Sequence, residues 1–285
     1  MKYDDVMKLA LERGFYFPSC EVYSDAQAGF WEYGPAGVSL KNKFLELWRR
    51  ELVRRDRMIE IDGSQIMSKS VFEASGHLAS FADPIVRCTK CKSTHRADRI
   101  ISELAKIEIP ESADLEEFDK VITEKNIKCP KCNGNFENTK KFNMMFQVGI
   151  GPEGEPAYLR PETCQSIFVD FPRLFKTMRG KLPLGIAQTG KSFRNEIAPR
   201  QSLLRLREFY QAEIEVFCNP AKLNDLDKFS EIQDTEIRIQ VNDEVKALTC
   251  KEAVDLQIIP NKFVAYYLGI LAEFYEKTGI DMKKS

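Results

Sequence analysis

No apolar run in this sequence approaches the ~18 residues a helix needs to cross a bilayer, so a helical membrane span is not expected. Charge of one sign is lacking too. With 42 Lys and Arg against 43 Asp and Glu the net charge is −1, which argues against a general polyanion binder. Any contact with RNA must then rest on local patches. The opening stretch MKYDDVMKLALERG carries acids and an amphipathic pattern instead of the layout of a signal peptide, so the expected compartment is the cytoplasm. Internal repeats and low-complexity linkers are missing, and histidine is scarce, with only His77 and His95. His77 lies in a loop-like stretch, where a capping or backbone-contacting role is expected in preference to catalysis. What remains is an ordinary soluble composition, 43% hydrophobic and 30% charged over 285 residues. That suits one large domain, or a domain with an insertion.

Eight cysteines are present, and four of them form Cys88-x-x-Cys91 and Cys129-x-x-Cys132. Without a secretion signal, paired CxxC motifs point to a metal before disulfides. Four thiolates on two tight turns make a closed tetrahedral set that suits a structural Zn²⁺ and leaves no open position for catalysis. His95 is a lesser candidate to replace one cysteine. Between the pairs the composition shifts to Lys, Glu and Asp, with helices expected near Asp98–Lys106 and Asp114–Lys125. Such a small module has little core of its own, so a metal would hold it together.

Elsewhere the spacing of apolar residues predicts a helix over Ser39–Arg55 after the Gly34-Pro35-Ala36-Gly37 turn. A strand over Met58–Met67 should follow. A short strand at Ala157–Leu159 leads through Arg160-Pro161-Glu162-Thr163 into a helix at Cys164–Phe171. Late in the chain a polar connector is expected at Leu223–Phe229. Ile237, Ile239 and Val241 read as a strand, Thr249 as the cap of a helix over Cys250–Leu256, and Gly279 as the stop of a last amphipathic helix.

The most informative stretch runs from Pro183 to Phe217. Tyr210, Ala212, Ile214 and Val216 share one parity, while Arg205, Arg207, Phe209, Gln211, Glu213 and Glu215 share the other. Period 2 means a strand with one buried and one polar face. Gln188, Arg194 and Glu196 stand opposite in parity to Ala187, Thr189 and Phe193, so an antiparallel hairpin joined by Ala198–Leu204 is expected. Its charged face carries arginines at the loop end, one aromatic, and acids further along. That gradient suits a ligand with phosphates, a flat ring and an ammonium group.

Phe193-Arg194-Asn195-Glu196 followed by Arg205-x-x-x-Phe209 resembles motif 2 of the class II aminoacyl-tRNA synthetases. The longer string FRNEIAPRQSLLRLREFYQAEIEVF, with GFYFPSCEVYSDAQAGFWEYGPAGVSLKN upstream, is similar to the glycyl-tRNA synthetases in particular. The helix and strand after Gly34-Pro35 resemble motif 1, the dimer-forming element of the family. The resemblance implies an α+β fold: a class II synthetase-type antiparallel sheet flanked by helices, with a small zinc-ribbon-like insertion. It divides the chain into core residues 1–87, an insertion at 88–140, and core residues 141–285, where the core is incomplete.

The implied activity is ATP-dependent activation of glycine and its transfer to tRNA(Gly), with Mg²⁺ bridging the phosphates. Arg194 would meet the α-phosphate and the glycine carboxylate, and Arg205 the γ-phosphate. Phe209 would stack on adenine and Glu196 would contact its edge. Glu162 and Glu213 would hold the glycine ammonium, with Arg160 in the same Arg-Pro-Glu-Thr segment. The motif 2 loop, and the insertion with it, would face the tRNA, and a homodimer would form through the motif 1 helix. No candidate for motif 3, which supplies a further arginine, follows Phe217, and the third pocket acid and the anticodon-binding domain are also not found. The expectation is therefore a truncated glycyl-tRNA synthetase. The alternative is a non-catalytic synthetase-like protein that binds nucleotide, RNA or a partner subunit.

Overall fold

The computed structural model describes residues 3–199 and 202–280. Arg200 and Gln201 of the hairpin loop, and the final Met282-Lys283-Lys284-Ser285, lie outside the described residues. The chain opens with α1 (Tyr3–Glu12) and the small hairpin β1 (Tyr16–Pro18) and β2 (Trp31–Tyr33). Then α2 (Pro35–Trp48) begins four residues before the expected Ser39, with Pro35 in its first turn. Proline fits there because its missing N–H would have had no helical partner. Gly37 is required by packing: a Cβ at this position would fall 1.8 Å from the Phe15 carbonyl oxygen. The helix closes in a wider turn at Arg49–Val53, where the Arg54 amide donates to the Arg49 carbonyl over 2.8 Å.

The single strand expected over Met58–Met67 is two strands in different sheets, β3 (Ile59–Ile61) and β4 (Ile66–Ser68). After α3 (Lys69–Ala74) and α4 (His77–Ser80) come β5 (Ala82–Arg87), β6 (Thr94–Arg96), α5 (Ala97–Ala105), α6 (Leu115–Glu124) and β7 (Lys140–Asn143). The chain continues through β8 (Phe146–Ile150), β9 (Glu155–Leu159) and α7 (Cys164–Thr177), a helix longer than expected that carries Pro172 inside it. The long hairpin is β10 (Leu184–Phe193) and β11 (Glu208–Phe217). A second hairpin, β12 (Glu236–Val241) and β13 (Glu244–Thr249), precedes α8 (Cys250–Asp255) and α9 (Lys262–Thr278). Thr249 and Glu252 form a reciprocal cap at the start of α8, and Gly279, at φ +85°, ends α9 as expected.

The architecture is α+β. Among the described residues the strands pair antiparallel, except for β3, which runs parallel beside β10. One sheet has the order β11-β10-β3, a second β4-β9-β8, and a third, in the insertion, β6-β5-β7. The first two are tied together just after β9. There the Phe193 amide donates to the Arg160 carbonyl over 2.9 Å, and the Arg160 amide donates to Gln65 over 2.8 Å. This link sets the Arg160–Thr163 segment beside the hairpin.

Two cores support the arrangement. Trp48, Leu52, Val53, Ile232, Tyr266 and Ile270 are buried behind the hairpin, and Ala212 and Ile214 of β11 pack against them. Phe229 is buried there as well, so the connector expected to be polar contributes to the core. The insertion has a core of its own, built on Val86, Ile100, Ile101, Ile109, Phe118 and Ile127. That differs from the expectation of a module with little core. α5 packs on β5 and β6, and α6 packs on α5; β5 begins ahead of Cys88 and pairs with both β6 and β7.

Candidate active site

The hairpin register fixes which side chains share a face. Ala187 pairs with Ile214 and Thr189 with Ala212, while Gln188 pairs with Glu213, Gly190 with Gln211 and Ser192 with Phe209. Successive strand residues point to opposite faces, so Phe209, Gln211 and Glu213 are presented together, away from the core behind Ala212 and Ile214.

The start of α7 meets this polar face. Thr163 donates from its amide to Glu213 Oε2 over 3.1 Å and from Oγ1 over 2.5 Å, and its amide also lies 3.1 Å from Gln211 Oε1. The carboxylate of Glu213 thus receives donors from the helix N-terminus, where a negative charge is favourable. Glu162, just before the cap, is shared: Arg194 Nη2 lies 3.4 Å from its Oε1 and His77 Nε2 3.6 Å from its Oε2. His77 is oriented by Ser75, whose Oγ lies 2.9 Å from Nδ1, and its ring packs edge-on against Phe72 and Phe81. The guanidinium of Arg194 lies 5.3 Å from the Phe209 ring centre and 5.6 Å from that of Phe81.

Glu162, Glu213, Arg194 and Phe209 therefore gather in one place. Glu196 and Arg205 meet separately at the loop end, with Arg205 Nε and Nη2 at 2.7 and 2.6 Å from Glu196 Oε2. Arg160, expected on the glycine side, lies beneath the polar face. It is fully buried, donating from Nε to the Lys191 carbonyl and from Nη1 to the Gly63 carbonyl, each over 2.9 Å. Its Nη2 has no partner, and neither do the buried Gln165 Oε1 and Ser166 Oγ in the first turn of α7. Native interiors leave few such atoms unpaired. Acidic crowding is also visible. The Glu215 carboxyl is raised above its ordinary value by burial and then by the charges of Glu213 and Glu162. Burial pushes the Cys164 thiol up as well, with the same two carboxylates adding to it.

Two contributors to this face were not expected from local sequence. His77 was read as a capping loop residue, yet the fold brings it to Glu162. Thr163 belongs to the Arg160-Pro161-Glu162-Thr163 segment, but its bonds to Glu213 depend on the hairpin.

The second cluster lies in the insertion. Sγ atoms of Cys88, Cys91, Cys129 and Cys132 all lie within 4.8 Å of one another, a group that could hold a metal ion. Cys88 and Cys132 are 3.5 Å apart and Cys91 and Cys129 3.7 Å. The hydroxyl of Ser93 beside Cys91 lowers that thiol to about 6, while burial raises the Cys132 thiol to about 11. Nε2 of His95 lies 2.8 Å from Ser93 Oγ and 3.8 Å from Cys129 Sγ, beside the four sulfurs.

Residues 142–237, which span β8 to the start of β12, match the family described as tRNA synthetase class II core domain (G, H, P, S and T). Nearly the whole chain also aligns with curated relatives. The chain is similar throughout to glycine–tRNA ligases. The glycine–tRNA ligase of Methanothrix thermoacetophila is 41% identical over 99% of this chain and 49% of its own length. That of Pyrococcus furiosus is 42% identical over 99% of this chain and 50% of its own length. The chain thus spans about half the length of the glycine–tRNA ligases it matches. Among solved structures, a threonyl-tRNA synthetase chain of Cryptosporidium parvum Iowa II aligns with 96% of this chain at 19% identity and a TM-score of 0.45. Among the described residues no helix is long and apolar enough to cross a membrane.

Proposed function

We propose that this chain forms the ATP- and glycine-binding part of a glycine–tRNA ligase, which activates glycine as the adenylate and transfers it to tRNA(Gly). The observation that carries this reading is the junction of Glu162, Arg194 and Phe209 beside Glu213. It puts paired acids, an arginine and an aromatic ring on one face. Activation is an in-line attack by the glycine carboxylate on the α-phosphate and needs no protein nucleophile. The protein's task is to position both substrates and to neutralise phosphate charge.

Arg194 is assigned to the α-phosphate and the glycine carboxylate. Without substrate its guanidinium is neutralised by Glu162, and binding would exchange that partner: the arginine turns to the two anions, and Glu162 to the glycine ammonium. Glu213, fixed by Thr163, is the second acid for the ammonium. Phe209 offers its ring to adenine, Glu196 an acceptor at the adenine edge, and Arg205 a cation for the γ-phosphate. Arg160, beneath the floor, holds the Gly63 and Lys191 carbonyls and so positions the glycine side of the site. Glycine has no side chain to grip, so selection rests on a crowded acidic pocket that excludes larger amino acids. Mg²⁺, when bound with ATP, would supply further neutralisation of the phosphates.

The four cysteines are assigned to one structural Zn²⁺. A tetrahedron with Zn–S bonds of about 2.3 Å has sulfurs about 3.8 Å apart, close to the 3.5 and 3.7 Å separations in the cluster. The core is read as residues 1–87 and 141–285, with residues 88–140 inserted. A homodimer through α2 is consistent with its exposed Val38, Leu40 and Phe44.

The test is ATP binding together with glycine-dependent ATP–pyrophosphate exchange by the 285-residue protein. Measurable ATP affinity that falls at least tenfold in Arg194→Ala is expected. Exchange should be weak beside that of a full-length relative, because the motif 3 arginine implied by the resemblance is not found in this sequence. Failure to bind ATP, or binding indifferent to Arg194→Ala, would overturn the reading.

A further inference from the structure

A cavity of about 170 Å³ lies where the insertion meets the loop of the long hairpin. Its lining includes Arg96, Arg99 and Glu103 from the insertion, and Ala198 and Arg205 from the hairpin. Three guanidiniums face one small space, but their circumstances differ. Arg96 is committed to Asp83, Asp98 and Glu111, and its side chain is 10% exposed. Arg205 is held by Glu196. Arg99, in the first turn of α5, makes no ion pair among the described residues, although Glu103 stands one helical turn along and lines the same cavity.

The two sides of the cavity are also coupled electrostatically. Asp83, buried on β5, is raised above its ordinary value mainly by burial; Arg96 opposes the shift, and the charges of Glu111 and Glu196 add to it. The insertion and the loop end of the hairpin thus line one cavity.

We infer that Arg99 is a binding residue contributed by the insertion, completing with Arg205 a subsite for a pyrophosphate-class anion, the terminal phosphates of the nucleotide. A planar guanidinium with five donors matches phosphate oxygens, and an arginine with no carboxylate partner gives up no existing bond to take one. With Arg99 on one side and Arg205 on the other, bound phosphates would also tie the insertion to the hairpin loop. The assignment to a nucleotide rests on the proposed ligase function, whereas the anion subsite rests on the cavity alone.

Calorimetric titration of the 285-residue protein with inorganic pyrophosphate, Mg-ATP and AMP separates the two. Arg99→Gln should weaken pyrophosphate and ATP roughly tenfold, as expected for one charge-assisted contact, and leave AMP within about twofold. Arg99→Lys, which keeps the charge but loses the fork, should fall between. Lys246→Gln, on exposed β13, removes the same charge elsewhere and should change nothing. Unchanged pyrophosphate and ATP affinities in Arg99→Gln, or an equal loss for AMP, would overturn the inference. So would loss of binding confined to a single-stranded RNA oligonucleotide, which would give Arg99 to a nucleic acid. Arg99-dependent binding of pyrophosphate without any binding of ATP would retain the anion subsite and remove the ligase reading. Binding of neither would remove both.

Discussion

The insertion and the long hairpin handle polar groups in opposite ways. In the insertion, the charges of Arg96 are met by Asp83, Asp98 and Glu111, and a separate apolar core lies under the helices. Among the described residues, what it leaves open is the group of four clustered thiols and the unpaired Arg99. In the hairpin region, the Glu162 carboxylate is shared between Arg194 and His77, and Arg160 Nη2, Gln165 Oε1 and Ser166 Oγ are buried without partners. The Glu215 carboxyl is raised above its ordinary value by burial and by Glu213 and Glu162. Polar groups that satisfy each other make a module that folds. Polar groups that do not are suited to a ligand, because a bound anion or ammonium can take up what the protein leaves open.

Taking away the metal is the strongest way to break the comparison. Structural zinc in small domains contributes on the order of 10 kcal/mol to folding. The effect here should be smaller, several kcal/mol, because Val86, Ile100 and Phe118 already make a core. Chelation, or Cys129→Ser, should abolish amide protection across residues 88–140 while leaving β10 and β11 protected. Hydrogen exchange followed by peptide mass spectrometry reads both regions at once, and elemental analysis should find about one ion per chain. A metal-free protein with full protection in the insertion would end the claim that the thiols act as a metal site.

A smaller blow falls on the other side of the comparison. A Cβ at Gly190 would lie 2.2 Å from Arg160 Nη2. Arg160 is pinned through Nε and Nη1 to two carbonyls and has little room to yield. Overpacking of this kind costs about 1–3 kcal/mol, so Gly190→Ala should lower the urea midpoint accordingly, with the loss confined to the hairpin. An unchanged midpoint would mean that the buried arginine relaxes easily and does not brace the floor of the site.

How much of this could be read from sequence follows the range of the interactions involved. The hairpin faces, the Thr249 cap, the Gly279 stop and the two CxxC pairs rest on local spacing, and all of them were legible. The break between β3 and β4 was not read, although the polar Asp62-Gly63-Ser64-Gln65 interrupts the apolar alternation. The chain bends at Gln65, and at Gly63 between the strands a Cβ would lie 2.2 Å from Ser166 Oγ, an atom distant in sequence. β13 was missed because Glu244, Val245, Lys246 and Ala247 are all exposed, leaving no buried face to produce an apolar period. For α2, the role of Gly34-Pro35 as helix start instead of preceding turn depended on the Phe15 carbonyl packed on Gly37. The charged constellation was legible by residue type and by resemblance. The contacts of Glu162 with His77, of Glu213 with Thr163, and of Arg160 with Gly63 required the fold.

The smallest effect tests the comparison most directly, because it asks whether the hairpin face trades stability for readiness. Glu215 has a folded-state value raised above that of the unfolded chain, by burial first and then by Glu213 and Glu162. A carboxyl raised in this way costs stability when ionised: the cost is fully present above the folded value and disappears as pH falls to the unfolded value. Glu215→Gln should therefore raise the melting temperature at pH 7, and the gain should shrink to nothing as pH drops through the upper carboxylate range to about 4. The side chain is only partly buried, so solvent screening keeps the gain small. A gain that persists unchanged below pH 4 would point to packing instead of charge. A loss at pH 7 would mean that Glu215 is stabilised where it stands and that the acidic face is not held at a cost.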